Sequence, residues 1–341
     1  DVVSQRSEHE TGVWVAGLDD LAAEALELPG VYSAPPVVCY LERGHGAAIR
    51  RARARLPGGD KNPVAIIRVP RERMVGSGVA SSLVHEVGHQ AAALLDLVNS
   101  LRPALQERGR NGAGRLIAWP LWERWISEIV ADFWSVAKVG IAAPLGLIGV
   151  VSLPRAFVFR VDVEDPHPSP WIRVKLSCAM GAALYPHQQW TALSRLWESF
   201  YPLDGLNAEK RQLFTAMVES IPNFVSLLVS HRPPALRGRS LKETLATPER
   251  RPAQLAALYR AWRASPTLMR AAPPTVAFAA VGQAKFDGRV TPEEESHILA
   301  DLLAYWATRS ALDASAICAT RPRPRALERA PRPQTKFSFI A

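Results

Sequence analysis

Over its first sixty residues the chain alternates short apolar runs with turn signals, whereas from Trp171 onward apolar residues recur at three- and four-residue spacing. The first pattern predicts short strands beside a helix, the second a predominantly helical region. "LDDLAAEALEL" (Leu18 to Leu28) reads as a short helix and "PPVVCYLE" (Pro35 to Glu42) as a strand, with the glycine pair of "LPGGDKNP" closing the segment. "VAIIRVP" (Val64 to Pro70) is β-branched and apolar, hence a second strand. After "GSG" comes a helix carrying "SSLVHEVGHQAAALLDLV". Beyond it lie "AALLDLVNSLRPALQE", a turn at "GRNGAG", and a helix from about Trp119 to Lys138. Toward the end, "VTPEEESHILADLLAYW" opens a helix: Thr291 caps it, Pro292 suits its first position, and Glu294 completes a capping box. The "DGRV" before it offers only Asp287 ahead of Gly288, too few carboxylates for a calcium loop. The prolines of "RPRPR" and "APRPQ" make the last twenty-odd residues an extended arm.

These patterns predict an α+β fold, predominantly helical: a short sheet with active-site helices, followed by additional C-terminal helices. The expected division is an N-terminal α/β segment at 1–62 packing on a core at 63–190, a helical region at 191–318, and a basic Pro/Arg-rich tail at 319–341. An apolar fraction of 48% with 21% charged residues is enough to bury a sizeable core. No repeat of solenoid length occurs. The longest uncharged run, Val139 to Leu153, is broken by Pro144 and three glycines and is too short to span a bilayer, so no membrane span is expected.

The net charge of +9 resides in two places. Beyond Ala319 the tail sets Arg321, Arg323, Arg325, Arg329, Arg332 and Lys336 against Glu328 alone, and "RRARAR" adds four arginines between Arg50 and Arg55. Such segments are expected to be solvated arms rather than a nucleic-acid surface. The tail is the natural candidate for docking on a partner. Cys39, Cys178 and Cys318 are far apart and odd in number, so neither a disulfide framework nor a cysteine metal site is expected. Buried free thiols suit a cytoplasmic protein, with a secreted or delivered effector as the alternative. Cys39 capping a metal as an inhibitory thiolate has nothing to place it there.

The chemistry lies in "VHEVGH". On a helix, His85 and His89 are one turn plus about forty degrees apart, so both imidazoles reach one point beside the axis. Glu86 projects about a hundred degrees away and can touch a water on a metal's open side. Two neutral nitrogens bind zinc while the carboxylate takes a proton from the bound water. Gly88, between them, allows a neighbouring segment to approach closely. "WISEIVADFW" places Glu128 and Asp132 four apart on an apolar helix, where unpaired carboxylates are unfavourable and a cation removes the objection. Glu128 can complete a two-histidine, one-glutamate site. Asp132 can hold the far nitrogen of a ligating histidine. In "DPHPSPWIRVKLS", His167 and Arg173 are candidate donors to a developing oxyanion, and Arg173 can alternatively pair with Asp132 or Glu86. His9, His45, His187, His231 and His297 have no partner at ligand spacing and are read as surface or structural. Tyr185 is a further possible oxyanion donor, with a core role the commoner reading.

In this order, H-E-x-x-H, E-x-x-x-D and H-P-x-x-x-x-R resemble the gluzincin metallopeptidases, above all the group containing the CAAX prenyl endopeptidase and its bacterial stress-protease relative. The similarity covers roughly Val64 to Met180. It implies a zincin-like core with one Zn2+ per chain held by His85, His89 and Glu128. Glu86 would be the general base, Asp132 a support behind the ligands, and His167 with Arg173 the transition-state pair. Those relatives set the site among transmembrane helices, which this chain does not offer, so their substrates do not transfer. The expected activity is a soluble zinc-dependent endopeptidase acting on a protein or peptide. In zincins the strand before the active-site helix forms an edge that pairs with substrate, and "NPVAIIRVPRERM" is its counterpart; "APLGLIGVVSLPRAFVF" would supply an apolar wall. One alternative is a zincin-like scaffold with a structural metal, which has no need of Glu86. The other is a DNA-associated protein using the basic segments, whose binding would fall steeply with salt.

Overall fold

The computed structural model describes residues 2–44, 46–56, 59–73, 76–111 and 118–320. Helix α1 (His9–Leu26) extends well before the expected Leu18. Val15, Leu18, Leu21, Ala22, Ala25 and Leu26 form one buried stripe along it. Three strands follow: β1 (Val37–Glu42), β2 (Ala48–Arg50) and β3 (Ala65–Pro70). They form one sheet in the order β1-β3-β2, with β1 parallel and β2 antiparallel to β3; Cys39 and Ile49 flank Ile67 from its two sides.

This order corrects one expectation. The strand preceding the helix of His85 and His89, "AIIRVP", is central, and its backbone groups are taken on both sides. Its alternate residues Ala65, Ile67 and Val69 are buried on one face, as are Val37, Cys39 and Leu41 of β1. The edge beside it is β2, three residues long and too short to announce itself as a strand.

A turn at Ser77–Val79 and a π-helical turn at Ala80–Val84 lead into helix α2 (His85–Leu94). The chain turns at Asp96, whose φ is 51°, into α3 (Leu97–Asn111). Of the turn expected at "GRNGAG", Gly109, Arg110 and Asn111 are the end of α3, and the rest lies outside the described residues. The helix expected from Trp119 to Lys138 is two helices, α4 (Ala118–Arg124) and α5 (Ile126–Val139), bent at Trp125. Helices α6 (Ala142–Val151) and α7 (Pro170–Leu184) complete the surroundings of the site. Behind them lie α8 (Gln189–Phe200), α9 (Ala208–Ser230), α10 (Pro252–Ala264), α11 (Pro274–Phe286) and α12 (Pro292–Thr320). The fold is thus α+β and predominantly helical, with one small sheet.

Helices α2 and α5 cross at Gly88. A methyl group there would stand 2.8 Å from the Cα of Ala131 and 3.0 Å from the Cβ of Trp134, so only glycine permits the approach. The capping box of α12 forms as its sequence predicts: Thr291 Oγ1 accepts from the Glu294 N–H, and Glu294 accepts from that of Thr291. The last helix lies along α1, and the apolar core includes residues from Val15 to Trp306. Helix α9 is, among the described residues, the one long and apolar enough to cross a membrane. Here its Phe214, Met217, Phe224 and Leu228 are buried, and it packs on α7. Beyond Thr320 the basic tail lies outside the described residues.

Candidate metal centre

Helix α2 delivers His85 and His89 to one side, and α5, held close by the Gly88 contact, delivers Glu128 opposite them. Glu128 Oε2 lies 3.1 Å from His85 Nε2 and 3.5 Å from His89 Nε2. One ligand atom from each of the three residues falls within a mutual distance of 4.8 Å. In a tetrahedral zinc site with bonds of about 2.0–2.1 Å, donor atoms stand about 3.3 Å apart. The two spacings to Glu128 are close to that value, and a two-histidine, one-glutamate set is one that could hold such an ion.

The support behind the ligands is built of buried charges. His85 Nδ1 donates to Asp132 Oδ1 at 2.8 Å, which leaves Nε2 facing Glu128. Arg173, on α7, clamps the same carboxylate with both arms of its guanidinium: Nε to Oδ2 at 2.6 Å and NH2 to Oδ1 at 2.8 Å. The choice left open for Arg173 is thereby resolved in favour of Asp132, one turn beyond Glu128.

Burial acts on every group here, and local partners decide the outcome. Burial pushes Asp132 upward, but the charges and hydrogen bonds of Arg173 and His85 outweigh it and hold the carboxyl well below its usual range. Glu128 is likewise held low against burial, by hydrogen bonds from His85 and His89. His85, between two carboxylates, overcomes its own desolvation through Asp132 and is raised to about 9. The pocket between these carboxylates thus favours a positive charge, which either protons or a divalent cation can supply. Glu86 differs: burial raises its carboxyl, and no hydrogen bond among the described residues restrains it.

The third sequence segment arrives on the loop before α7. His167 places Nε2 3.2 Å from Glu128 Oε2, on the side of a cleft of about 580 Å³ that it lines with His85, Glu86 and Arg173. Its other face is held by a residue the sequence reading passed over. Asp165 Oδ1 accepts from the His167 backbone N–H at 3.0 Å and from Nδ1 at 2.8 Å. The D-x-H spacing, in which a carboxylate bonds the backbone two residues on, was the available signal. Arg160 contacts the other carboxylate oxygen, and Trp125 Nε1 donates to the Asp165 carbonyl, tying the loop to the bend between α4 and α5. Gly46 and Ala47, just before β2, and Leu147, Val150, Val151 and Leu153 from α6 and its end line the rest of the cleft.

All seven singled-out residues, His85, Glu86, His89, Glu128, Asp132, His167 and Arg173, are brought together. Other candidates lie elsewhere. Tyr185 is buried and donates its hydroxyl to the carbonyl of Ala137 at 2.7 Å, a core role. His231 meets Ser100 Oγ, and the His187 ring accepts from the N–H of Gln189. The side chains of His9 and His45 lie outside the described residues. Cys39 is buried on β1, its thiol pushed up by burial, and belongs neither to the ligand set nor to the cleft lining. No family model, curated protein or solved structure matches this chain.

Proposed function

We propose that this protein is a zinc-dependent endopeptidase of the gluzincin type, with His85, His89 and Glu128 as the ligands of one zinc per chain. The reading rests on one observation: two histidines and a glutamate, their ligand atoms within 4.8 Å of one another, stand beside a buried carboxyl, Glu86, that no hydrogen bond among the described residues restrains. When bound, zinc supplies a Lewis acid that acidifies water and polarises a carbonyl. Glu86 accepts the proton of the attacking water and returns it to the leaving amine, a task suited to a carboxyl whose proton affinity burial has raised. His167, held at Nδ1 by Asp165, donates from Nε2 in its doubly protonated form toward the oxygen on which charge develops. Arg173 takes the supporting role, keeping Asp132 ionised and His85 in position.

The substrate is a protein or peptide in extended form. It lies along β2, whose approach, Gly46 and Ala47, borders the cleft, and sets a side chain against Leu147, Val150 and Leu153. The test is zinc per chain by atomic absorption, paired with cleavage of an unstructured protein. The expected result is about one zinc per chain, lost in Glu128→Ala, and proteolysis abolished in Glu86→Gln with the zinc retained. A folded wild type that takes up no zinc would sink the proposal, as would proteolysis undiminished in Glu86→Gln.

A further inference from the structure

The four arginines of "RRARAR" are not a loose arm. Arg50 ends β2, and the next residues are strapped down by polar contacts. The Ala52 N–H donates to Gln90 Oε1 at 2.7 Å, and Gln90 directly follows the ligand His89 on α2. Asn62 then binds the segment three times: its side chain donates to the Arg51 carbonyl at 3.1 Å, its carbonyl accepts from the Arg53 N–H at 2.7 Å, and its N–H donates to the Ala54 carbonyl at 2.8 Å. Arg55 bridges to Lys61. The backbone is thus anchored to the metal helix, while Arg50, Arg51, Arg53 and Arg55 are all exposed. Among the described residues none of the four is paired with a carboxylate; the nearby Glu42 is engaged by Arg68 at 3.1 Å.

Position turns this charge into a specificity element. Gly46 and Ala47 border the cleft, and β2 runs from there to Arg50, about 10 Å away at the rise of a strand. A peptide pairing with β2 passes from the metal centre onto the arginines. We infer that the Arg50–Arg55 strip is a subsite for an acidic stretch of the peptide substrate, three or more residues from the bond held at the metal. The inference rests on the peptidase reading, which supplies the direction of the strand. An open strand edge favours a peptide over a nucleic acid, because it offers main-chain hydrogen bonds that continue into the cleft.

The experiment measures binding without cleavage, by fluorescence anisotropy on the full-length Glu86→Gln protein loaded with zinc. The probe is a fluorescein-labelled peptide in which a run of glutamates precedes an Ala-Leu-Ala-Val stretch, beside versions with glutamine or lysine for glutamate. The glutamate peptide should bind about tenfold tighter than the glutamine one, as a few exposed ion pairs allow, and more weakly as salt rises. Arg50→Glu with Arg51→Glu should erase that preference while leaving the melting temperature unchanged. Equal binding of the glutamate and glutamine peptides would overturn the subsite. So would a single-stranded oligothymidine that binds more tightly than the acidic peptide and is lost in the same double variant. A glutamate preference in a protein whose wild type cleaves nothing would remove the peptidase reading and leave the acidic-peptide surface standing. Cleavage indifferent to the glutamates would do the reverse.

Discussion

Replacing Gly88 by alanine tests how the candidate metal centre is held together. The added methyl would sit 2.8 Å from both the Cα and the carbonyl oxygen of Ala131, and 3.0 Å from the Cβ of Trp134. Carbon atoms in contact prefer about 3.5–4.0 Å, so α2 and α5 must separate by about 0.7 Å. Two of the atoms met belong to backbone, and no rotamer change relieves the clash. His85 and His89 ride on α2, and Glu128 and Asp132 on α5, so the separation acts directly across the ligand set. Metal–ligand distances tolerate only about 0.2 Å. Overpacking destabilises by about 1–3 kcal/mol, against about 1 kcal/mol of helix propensity gained by removing a glycine. The variant is therefore expected to lose up to about 2 kcal/mol of stability and to bind zinc at least tenfold more weakly. Urea unfolding of the metal-free protein and zinc competition against a chromophoric chelator measure the two effects. Gly149→Ala is the control: its new methyl meets nothing within 4 Å, so it should leave zinc binding intact and gain up to about 1 kcal/mol. A Gly88→Ala protein that is as stable as the wild type and binds zinc as tightly would refute the argument.

Three further outcomes follow from the same geometry. Asp132→Asn weakens the hold on His85 Nδ1 and should reduce zinc affinity about 10- to 100-fold by chelator competition, with Glu128 still in place; unchanged affinity would mean the carboxylate does not support the ligand. Arg173→Leu leaves Asp132 buried without its main counter-charge and should destabilise the metal-free protein by about 3–5 kcal/mol, read from urea midpoints. Glu243, whose hydrogen bonds with the Ser240 backbone and side chain lower its pKa to about 2, contributes stability that is complete above its unfolded value of about 4.3. That contribution is lost as pH falls through the folded value, so the melting curves of the wild type and Glu243→Gln should converge near pH 2 and separate above it; parallel curves throughout would remove the capping argument.

Helical geometry is local, and the parts of the site that share a helix were accordingly legible. His85 with His89, and Glu128 with Asp132, are each pairs one turn apart, so their common direction follows from the 3.6-residue period alone. Gly88 announced a close approach, but not that Ala131 on α5 would be the neighbour. The two candidate partners of Arg173, Asp132 and Glu86, lie 41 and 87 residues away, and only the packing of α7 on α5 selects Asp132. Asp165 was hidden for a different reason: it acts through a turn whose shape depends on Arg160 and Trp125 pinning the loop.

The sheet divides in the same way. Alternating and β-branched residues mark Val37–Glu42 and Ala65–Pro70 as strands, because a residue's preference for extended backbone is its own property. Which strand lies at the edge is a property of pairs, and a run such as "AIIRVP" looks alike with one neighbour or two. Strand β2 takes its place only because β3 offers it a free side and Gln90 anchors the residues that follow. Local periodicity and side-chain chemistry thus determined the helices, the faces that carry the candidate ligands and the predominantly helical class. Tertiary packing, which joins groups scores of residues apart at no signal in either segment, decided the sheet order, the partner of Arg173 and the place of Gly46 and Ala47 on the cleft.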